Sequence, residues 1–351
     1  MEKTKIININ IINKVNDSLL KEDESNIFAV KSKKNVIINK NFFLKLIFSY
    51  ILFILLFLQK KNKYHHFSPF SHSSYDACFV ALGRQENKYV REFVEYYSKM
   101  GVEKFIFGDN NLPDSEKLSD VLQDYIKDGM IDIIELFGSV SGQSELYNIT
   151  YEKYKNKCKW FLLFDFDEYL EIHFENNKSL ALNEFLSNEI FEKCEAIIFN
   201  WIIYTDNDLI YYDNRTLVER FTTPDLHAYG NIFVKSFVRG GLNKTIFLPQ
   251  KPNHVPEKEV TVCNSKGNII KRYNPFTLIP PIFDNGYLKH FTTKTAEEYC
   301  EKIIRGQPRN ESYDYEERVK GFFNLNRFSE KKLKIFEKKL NRTFNINTRK
   351  I

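Results

Sequence analysis

The chain has 351 residues, 43% of them hydrophobic and 28% charged, proportions ordinary for a globular protein and enough for one large or two small domains. Its formal charge of +5 is small for that length and comes with interspersed acids, which argues against a nucleic-acid binder and only weakly for anionic ligands. Cys78, Cys158, Cys194, Cys263 and Cys300 are odd in number with no C-x-x-C spacing, so neither a zinc site nor a disulfide framework is indicated, and one or two bridges stay open.

Residues 1–41 carry Asn, Lys, Ile and Ser without a sustained period and read as a flexible tail. Residues 42–58 are an apolar run whose single charge, Lys45, is near its start. At about 1.5 Å per residue this is the short end of what spans a bilayer core, so it predicts a single-pass membrane anchor, with a buried helix as the alternative. The run is too far from the N-terminus, and lacks the small-residue cleavage site, for a signal peptide. Lysines flank it on both sides, which leaves the orientation open. Residues 59–74 form a polar stem, and His65, His66 and His72 read as solvated there because no acid or cysteine accompanies them. The triplets at Asn148, Asn214, Asn243 and Asn310 would permit N-glycosylation, although a chain so rich in Asn makes such triplets by chance.

From Tyr75 strand and helix signals alternate, which predicts an α/β domain around a largely parallel sheet. Residues 77–83 read as a buried strand and Arg84-Gln85-Glu86-Asn87 as the loop leaving it. Tyr89, Val90, Phe93, Val94, Tyr97 and Met100 then recur at helical spacing up to Gly101. Residues 104–107 are a second strand entering the turn Asp109-Asn110-Asn111; residues 118–126 are a helix, 130–136 a third strand and 143–157 a third helix.

The fourth strand, Trp160-Phe161-Leu162-Leu163-Phe164, runs into Asp165-Phe166-Asp167-Glu168. Alternation of period two would put Asp165 and Asp167 on one side, where two carboxylates can converge on a hard cation such as Mn²⁺ or Mg²⁺ that keeps further positions for a diphosphate. An acidic loop after a core strand is the plainer alternative. Ligands of open parallel sheets bind outside the carboxyl ends of the strands, and the loops 84–87, 109–111 and 165–168 share that edge. No G-x-G-x-x-G follows the first strand and no P-loop motif exists.

The second half is less regular. A helix is expected near 180–194 and a strand over 196–204, followed by Val218-Glu219-Arg220-Phe221 and Phe233-Val234-Lys235-Ser236-Phe237-Val238. His290 and Lys294 precede another helix, where imidazole can complete a metal shell and ammonium can neutralise a phosphate. Residues 329–342 read as a basic amphipathic helix.

Together these stretches, in this order and spacing over residues 75–310, resemble the membrane-anchored glycosyltransferases of the family 2-like and family 92 group, which have the GT-A type α/β/α nucleotide-diphospho-sugar transferase fold. The stretches carrying the resemblance are Arg84 to Tyr97, Asp109-Asn110-Asn111, Trp160 to Glu168, Glu219-Arg220-Phe221 and His290 to Gly306. The departure is Arg84-Gln85-Glu86, where the family usually has an Asn-Glu pair. The resemblance implies that Asp165 and Asp167 form the D-x-D clamp for Mn²⁺ or Mg²⁺, with His290 as third ligand. Arg84, Glu86, Asp109 and Asp165 would meet the donor nucleotide and Lys294 would steady the leaving diphosphate. An inverting reaction needs a carboxylate base, for which Asp225, Glu168 and Asp206 are candidates.

The expected organisation is therefore a tail (1–41), an anchor (42–58), a stem (59–74), a catalytic domain (75–315) and a basic helix and tail (316–351). The expected partners are a nucleotide-sugar donor, a glycan or glycoconjugate acceptor and the membrane, with no nucleic acid. The resemblance implies a type II protein, in the Golgi or ER of a eukaryote. A metal-dependent nucleotidyltransferase and a catalytically silent, membrane-tethered glycan-binding protein are the rival readings.

Overall fold

The structure is a computed structural model that describes residues 75–174, 178–179, 181–242, 260–271, 276–306 and 314–346. The tail, anchor and stem lie outside the described residues, among which no helix is long and apolar enough to cross a membrane.

The described chain is a mixed α/β fold around one sheet. Strand β1 (Tyr75–Gly83) leads into helix α1 (Asn87–Lys99), whose Tyr89, Val90, Phe93, Val94 and Tyr97 are buried, as their spacing predicts. Strand β2 (Lys104–Asp109) is followed by two short helices, α2 (Leu118–Val121) and α3 (Gln123–Lys127), in place of the one helix expected there. Strand β3 (Ile131–Glu135), helix α4 (Gly142–Tyr154) and strand β4 (Cys158–Leu163) complete a parallel half in the order β3-β2-β1-β4.

The second half turns mixed, which corrects the expectation of a largely parallel sheet. Strand β5 (Glu168–Phe174) leaves directly from the acidic turn and pairs with β6 (Lys178–Ser179). The expected helix near 180–194 is reduced to α5 (Leu182–Leu186) and a 3₁₀ turn (Glu189–Phe191). Strand β7 (Ala196–Tyr204) is the hub. After α6 (Leu217–Arg220), strands β8 (Pro224–Asp225) and β9 (Val234–Arg239) pair with it antiparallel, and β10 (Val262–Asn264) and β11 (Gly286–His290) pair with it parallel. Strand β9 also closes against β4, and β5 against β11.

Aromatic rings fill the space between α1 and the sheet. Phe93 meets Phe79 at 4.8 Å, Phe166 at 4.9 Å and Tyr169 at 5.6 Å between ring centroids, mostly edge-on, the arrangement the ring quadrupoles favour. Helices α7 (Ala296–Arg305), α8 (Tyr315–Leu325) and α9 (Glu330–Leu340) share a smaller core of Ala296, Cys300, Ile303, Val319, Phe322 and Phe336. The basic C-terminal helix is thus packed on α7, and its Lys332 is buried against Asp206 at 2.7 Å. Two disulfides, Cys78–Cys158 and Cys194–Cys263, pin β1 to β4 and the start of β7 to β10, a framework that cysteine spacing alone did not indicate.

Candidate active site

The chain leaves β4 at Leu163, turns through Asp165-Phe166-Asp167 and re-enters the sheet at Glu168. The turn is closed twice: the Glu168 N–H donates to the Asp165 carbonyl at 3.1 Å, and the Asp165 N–H donates to the Glu168 carboxylate at 3.0 Å. Phe166 anchors it in the core against Phe93 and Phe107, both at 4.9 Å. Space for that ring depends on Gly83, where a Cβ would come within 3.0 Å of Phe166 and 2.9 Å of Leu118. From α1, the Tyr97 hydroxyl donates to the Glu168 carbonyl and accepts the Leu170 N–H, both at 2.9 Å, fixing where β5 begins.

Asp165 and Asp167 stand in the turn after the β4 ladder has ended, so the period-two alternation of a strand does not place them. Their environments differ accordingly. Asp165 is bound by the Lys235 ammonium at 2.7 Å and the Gln143 amide at 2.9 Å. Asp167 has His290 Nε2 at 3.6 Å and the ammonium groups of Lys302 and Lys294 at 3.2 and 3.7 Å.

The group that converges is Asp167, Glu168 and His290, whose candidate ligand atoms all lie within 4.8 Å of one another. Register makes this happen: Glu168 at the start of β5 is the cross-strand partner of His290 at the end of β11, and the Phe291 N–H continues the ladder to the Asp167 carbonyl at 2.9 Å. A slip of one residue would turn one member of the group to the opposite face.

Burial and neighbouring charge set the protonation of each member. Burial pushes the Glu168 carboxyl well above the usual range, Lys235 opposes this, and the charges of Asp165 and Asp167 reinforce it. Burial acts on Asp167 in the same sense, but Lys302, Lys294 and His290 outweigh it and hold the group well below the ordinary carboxylate value. Burial lowers the His290 pKa against the pull of Asp167, which favours the neutral imidazole a metal requires.

Glu168 Oε1 and His290 Nδ1 are buried without a hydrogen-bond partner among the described residues. Orphaned polar atoms in one buried cluster are costly, and a cation there would satisfy the carboxylate oxygen. Two carboxylates and an imidazole fit Mn²⁺ or Mg²⁺, with positions left over for oxygens of a substrate.

Beside this group lies a cleft of about 220 Å³. Its walls carry Lys294, Lys302, Arg305 and Lys88 against Glu86, Glu298, Glu301 and Tyr89. Arg305 donates to the Arg84 carbonyl at 2.6 Å and pairs with Glu86 at 2.5 Å, so the loop after β1 is tied to the last turn of α7. The Lys294 ammonium sits 4.6 Å from the Tyr89 ring centroid, a cation–π distance. Lys294 and Gln85, both lining the cleft, have φ of 53° and 54°, a left-handed backbone that non-glycine residues adopt at a cost of order 1–3 kcal/mol. Such strain persists where surrounding contacts over-determine it. The Gln85 N–H donates to the Asn111 amide oxygen, and next to Lys294 the Thr295 cap of α7 is held by Glu298, which accepts Tyr89 Oη at 2.6 Å and the Arg220 fork at 2.8 and 3.0 Å.

Of the other residues expected from sequence, Glu86 and Lys294 line the cleft and Arg84 meets it through its carbonyl. Asp109 does not. Its carboxylate is 1% exposed and accepts the N–H groups of Leu118 at 2.7 Å and Asn111 at 3.0 Å, so it caps α2 instead of facing a ligand. Asp206 is likewise taken up by Lys332. Asp225 on β8 and His290 on β11 are both register partners of Ile203, on either side of β7, which separates them by two strand spacings, roughly 10 Å. Sequence reasoning missed Lys235, Lys302 and Arg305. A lysine inside the apolar run of β9 is a legible signal, as are two cations three residues apart on α7.

The sequence profile of glycosyltransferase family 92 matches residues 73–344. A search of curated proteins finds no significant match. Among solved structures, the chain is similar to S. aureus TarS at 11% identity and a TM-score of 0.34, over 72% of this chain and 44% of that one. The chain thus spans less than half the length of that TarS structure. A second similar structure is S. aureus TarS 1–349 in complex with UDP, at 11% identity and a TM-score of 0.35, over 76% of this chain and 71% of that one.

Proposed function

We propose, from the premise that this chain belongs to glycosyltransferase family 92 and is a transferase, that it moves a sugar from a nucleoside-diphosphate sugar to a hydroxyl of a glycan or glycoconjugate, with inversion and with a divalent cation. The observation that carries this reading is the convergence of Asp167, Glu168 and His290 beside a cleft walled by Lys294, Lys302 and Arg305. A GT-A type fold suits this arrangement, in which the turn leaving β4 at the end of the parallel half meets β5 and β11 of the mixed half.

Breaking a glycosyl phosphate bond builds charge on the departing diphosphate. Lys294, Lys302 and Arg305 are placed to receive it, and because they are held by Glu86, Asp167 and the Arg84 carbonyl they need little reorganisation as charge develops. A cation held by Asp167, Glu168 and His290 would supply further positive charge to the same oxygens. Tyr89 and the left-handed turn at Lys294 orient the ammonium into the cleft.

The base is Asp225. Glu168, the other candidate, is wholly buried and accepts the Asp165 N–H, which leaves no approach for an acceptor hydroxyl, whereas Asp225 is half-buried on the far side of β7 from His290. The two disulfides support a domain in an oxidising compartment, and with residues 42–58 as anchor the protein is read as type II with a lumenal catalytic unit.

The test is a nucleotide-sugar panel with and without Mn²⁺, followed by release of nucleoside diphosphate. Release that needs the cation and is lost in Asp167→Asn supports the reading. Release of pyrophosphate from a nucleoside triphosphate, or no turnover of any donor by folded protein, overturns it.

A further inference from the structure

A series of aromatic contacts leads out of the candidate active site from His290, through residues that do not line the cleft. The His290 ring lies 4.1 Å from Trp201, Trp201 lies 5.4 Å from Phe233, and Phe233 lies 6.2 Å from Tyr229, centroid to centroid. The inner members are half-buried or buried, while Tyr229 is 77% exposed and its neighbour Leu226 57% exposed. Large apolar groups at such exposure call for an explanation when they continue a site instead of standing alone.

The platform beneath them is rigid. Asn231, 2% exposed, accepts the Ile203 N–H at 2.9 Å and donates to the Asp225 carbonyl at 2.9 Å, which fixes the turn 225–231 onto the end of β7. Asn200, fully buried, donates to the carbonyls of Asn231 and Leu278 at 3.0 and 3.2 Å and accepts the Ile282 N–H at 3.0 Å, locking the neighbouring loop to the same strand. The exposed Tyr229 and Leu226, with the half-buried Asp225 carboxylate in the same turn, have the chemistry that carbohydrate recognition uses, since the C–H face of a pyranose packs on aromatic rings and its hydroxyls need fixed polar partners.

We infer that Trp201, Phe233, Leu226 and Tyr229 form an acceptor subsite that takes an oligosaccharide of at least two units, its reacting end at His290 and Asp225 and its next unit stacked on Tyr229. This rests on the glycosyltransferase reading for which end reacts, but the sugar-binding surface itself does not. Because the outermost contact lies away from the chemistry, the second sugar unit should contribute to acceptor affinity and leave donor binding unchanged.

The test uses the described domain's full chain on a glycan array of mono- to tetrasaccharides, with UDP and Mn²⁺ binding measured separately by calorimetry. Binding that favours di- and longer saccharides, falls about ten-fold in Tyr229→Ala and recovers in Tyr229→Phe supports the subsite. Equal binding of mono- and disaccharides, indifference to Tyr229→Ala, or no saccharide bound by folded protein overturns it. Tyr229 is exposed, so its replacement does not threaten folding. Failure of the wild-type protein to bind Mn²⁺ with any nucleoside diphosphate would instead count against the proposed function, and the two failures are read from different measurements.

Discussion

The Lys235 ammonium stands 2.7 Å from the Asp165 carboxylate with 1% of the lysine side chain exposed, and 3.6 Å from the wholly buried Glu168. A lysine near the start of β9 thus supplies a fixed cation to two of the three acids that follow β4. This divides the cluster: Asp165 is committed to an ion pair, and Asp167 is left to the cleft. Replacing Lys235 by Met should remove roughly 2–4 kcal/mol of stability, since the buried Glu168 loses the cation at 3.6 Å while the partly exposed Asp165 can turn to water. Adding Asp165→Asn should restore part of it. Urea unfolding of the single and double variants measures the coupling, and strictly additive losses would contradict the pairing.

Asp167, Glu168 and His290 predict a cation-dependent rise in thermal stability. A ligand that binds only the folded state at about one hundred times its Kd adds about 2.7 kcal/mol, so Mn²⁺ with a nucleoside diphosphate should raise Tm by several degrees. Asp167→Asn and His290→Ala should abolish the rise and the Mn²⁺ signal in electron paramagnetic resonance titrations. Asp165→Asn should retain both more fully, since Lys235 and Gln143 hold that carboxylate.

Lys302 is the cleft cation most easily tested alone, being partly exposed and paired with Asp167 at 3.2 Å and the Thr292 carbonyl at 2.9 Å. Lys302→Ala should weaken nucleoside diphosphate binding about ten-fold and reduce its dependence on salt, because an ion pair to phosphate is lost and screening has less to act on. Calorimetry at two ionic strengths checks both effects. Unchanged affinity would place the diphosphate elsewhere.

Much of this was legible in the chain. The helical spacing from Tyr89 to Tyr97 and the apolar runs of β1, β2, β4 and β7 announced their elements, because each has one dominant period. Asp167, His290, Lys294 and Glu86 were reachable as well, since each stands at a strand end or helix start. The different partners of Asp165 and Asp167 were not, because they depend on a turn beyond the strand's end and on Lys235 arriving from seventy residues away. Asp109 misled for a related reason: an acid after a strand serves a ligand or a helix N-terminus equally well, and only the position of Leu118 decides. The disulfides lay beyond local pattern because their partners are 80 and 69 residues apart.

The fork of Arg220 onto Glu298 gives the last prediction, on pH. Both side chains are 1% exposed. Burial works to raise the Glu298 pKa, but the hydrogen bonds and charge of Arg220, with those of Tyr89 and Thr295, outweigh it and bring the group down to about 2 from an ordinary 4.5. A carboxyl depressed on folding stabilises above its unfolded value and loses that contribution as pH falls through the folded one. The window is therefore pH 4.5 down to about 2, and the contribution is on the order of 3 kcal/mol at neutral pH. Arg220→Lys keeps the charge but not the planar fork, so it should destabilise by about 1–3 kcal/mol and flatten the acid limb of the stability curve. Because Glu298 caps α7 and fastens Tyr89, the same variant should also loosen the turn at Lys294 and weaken nucleoside diphosphate binding at pH 7. Unfolding free energies at pH 7, 4 and 3 for both proteins decide it: parallel curves would mean that the pair does not carry the acid sensitivity.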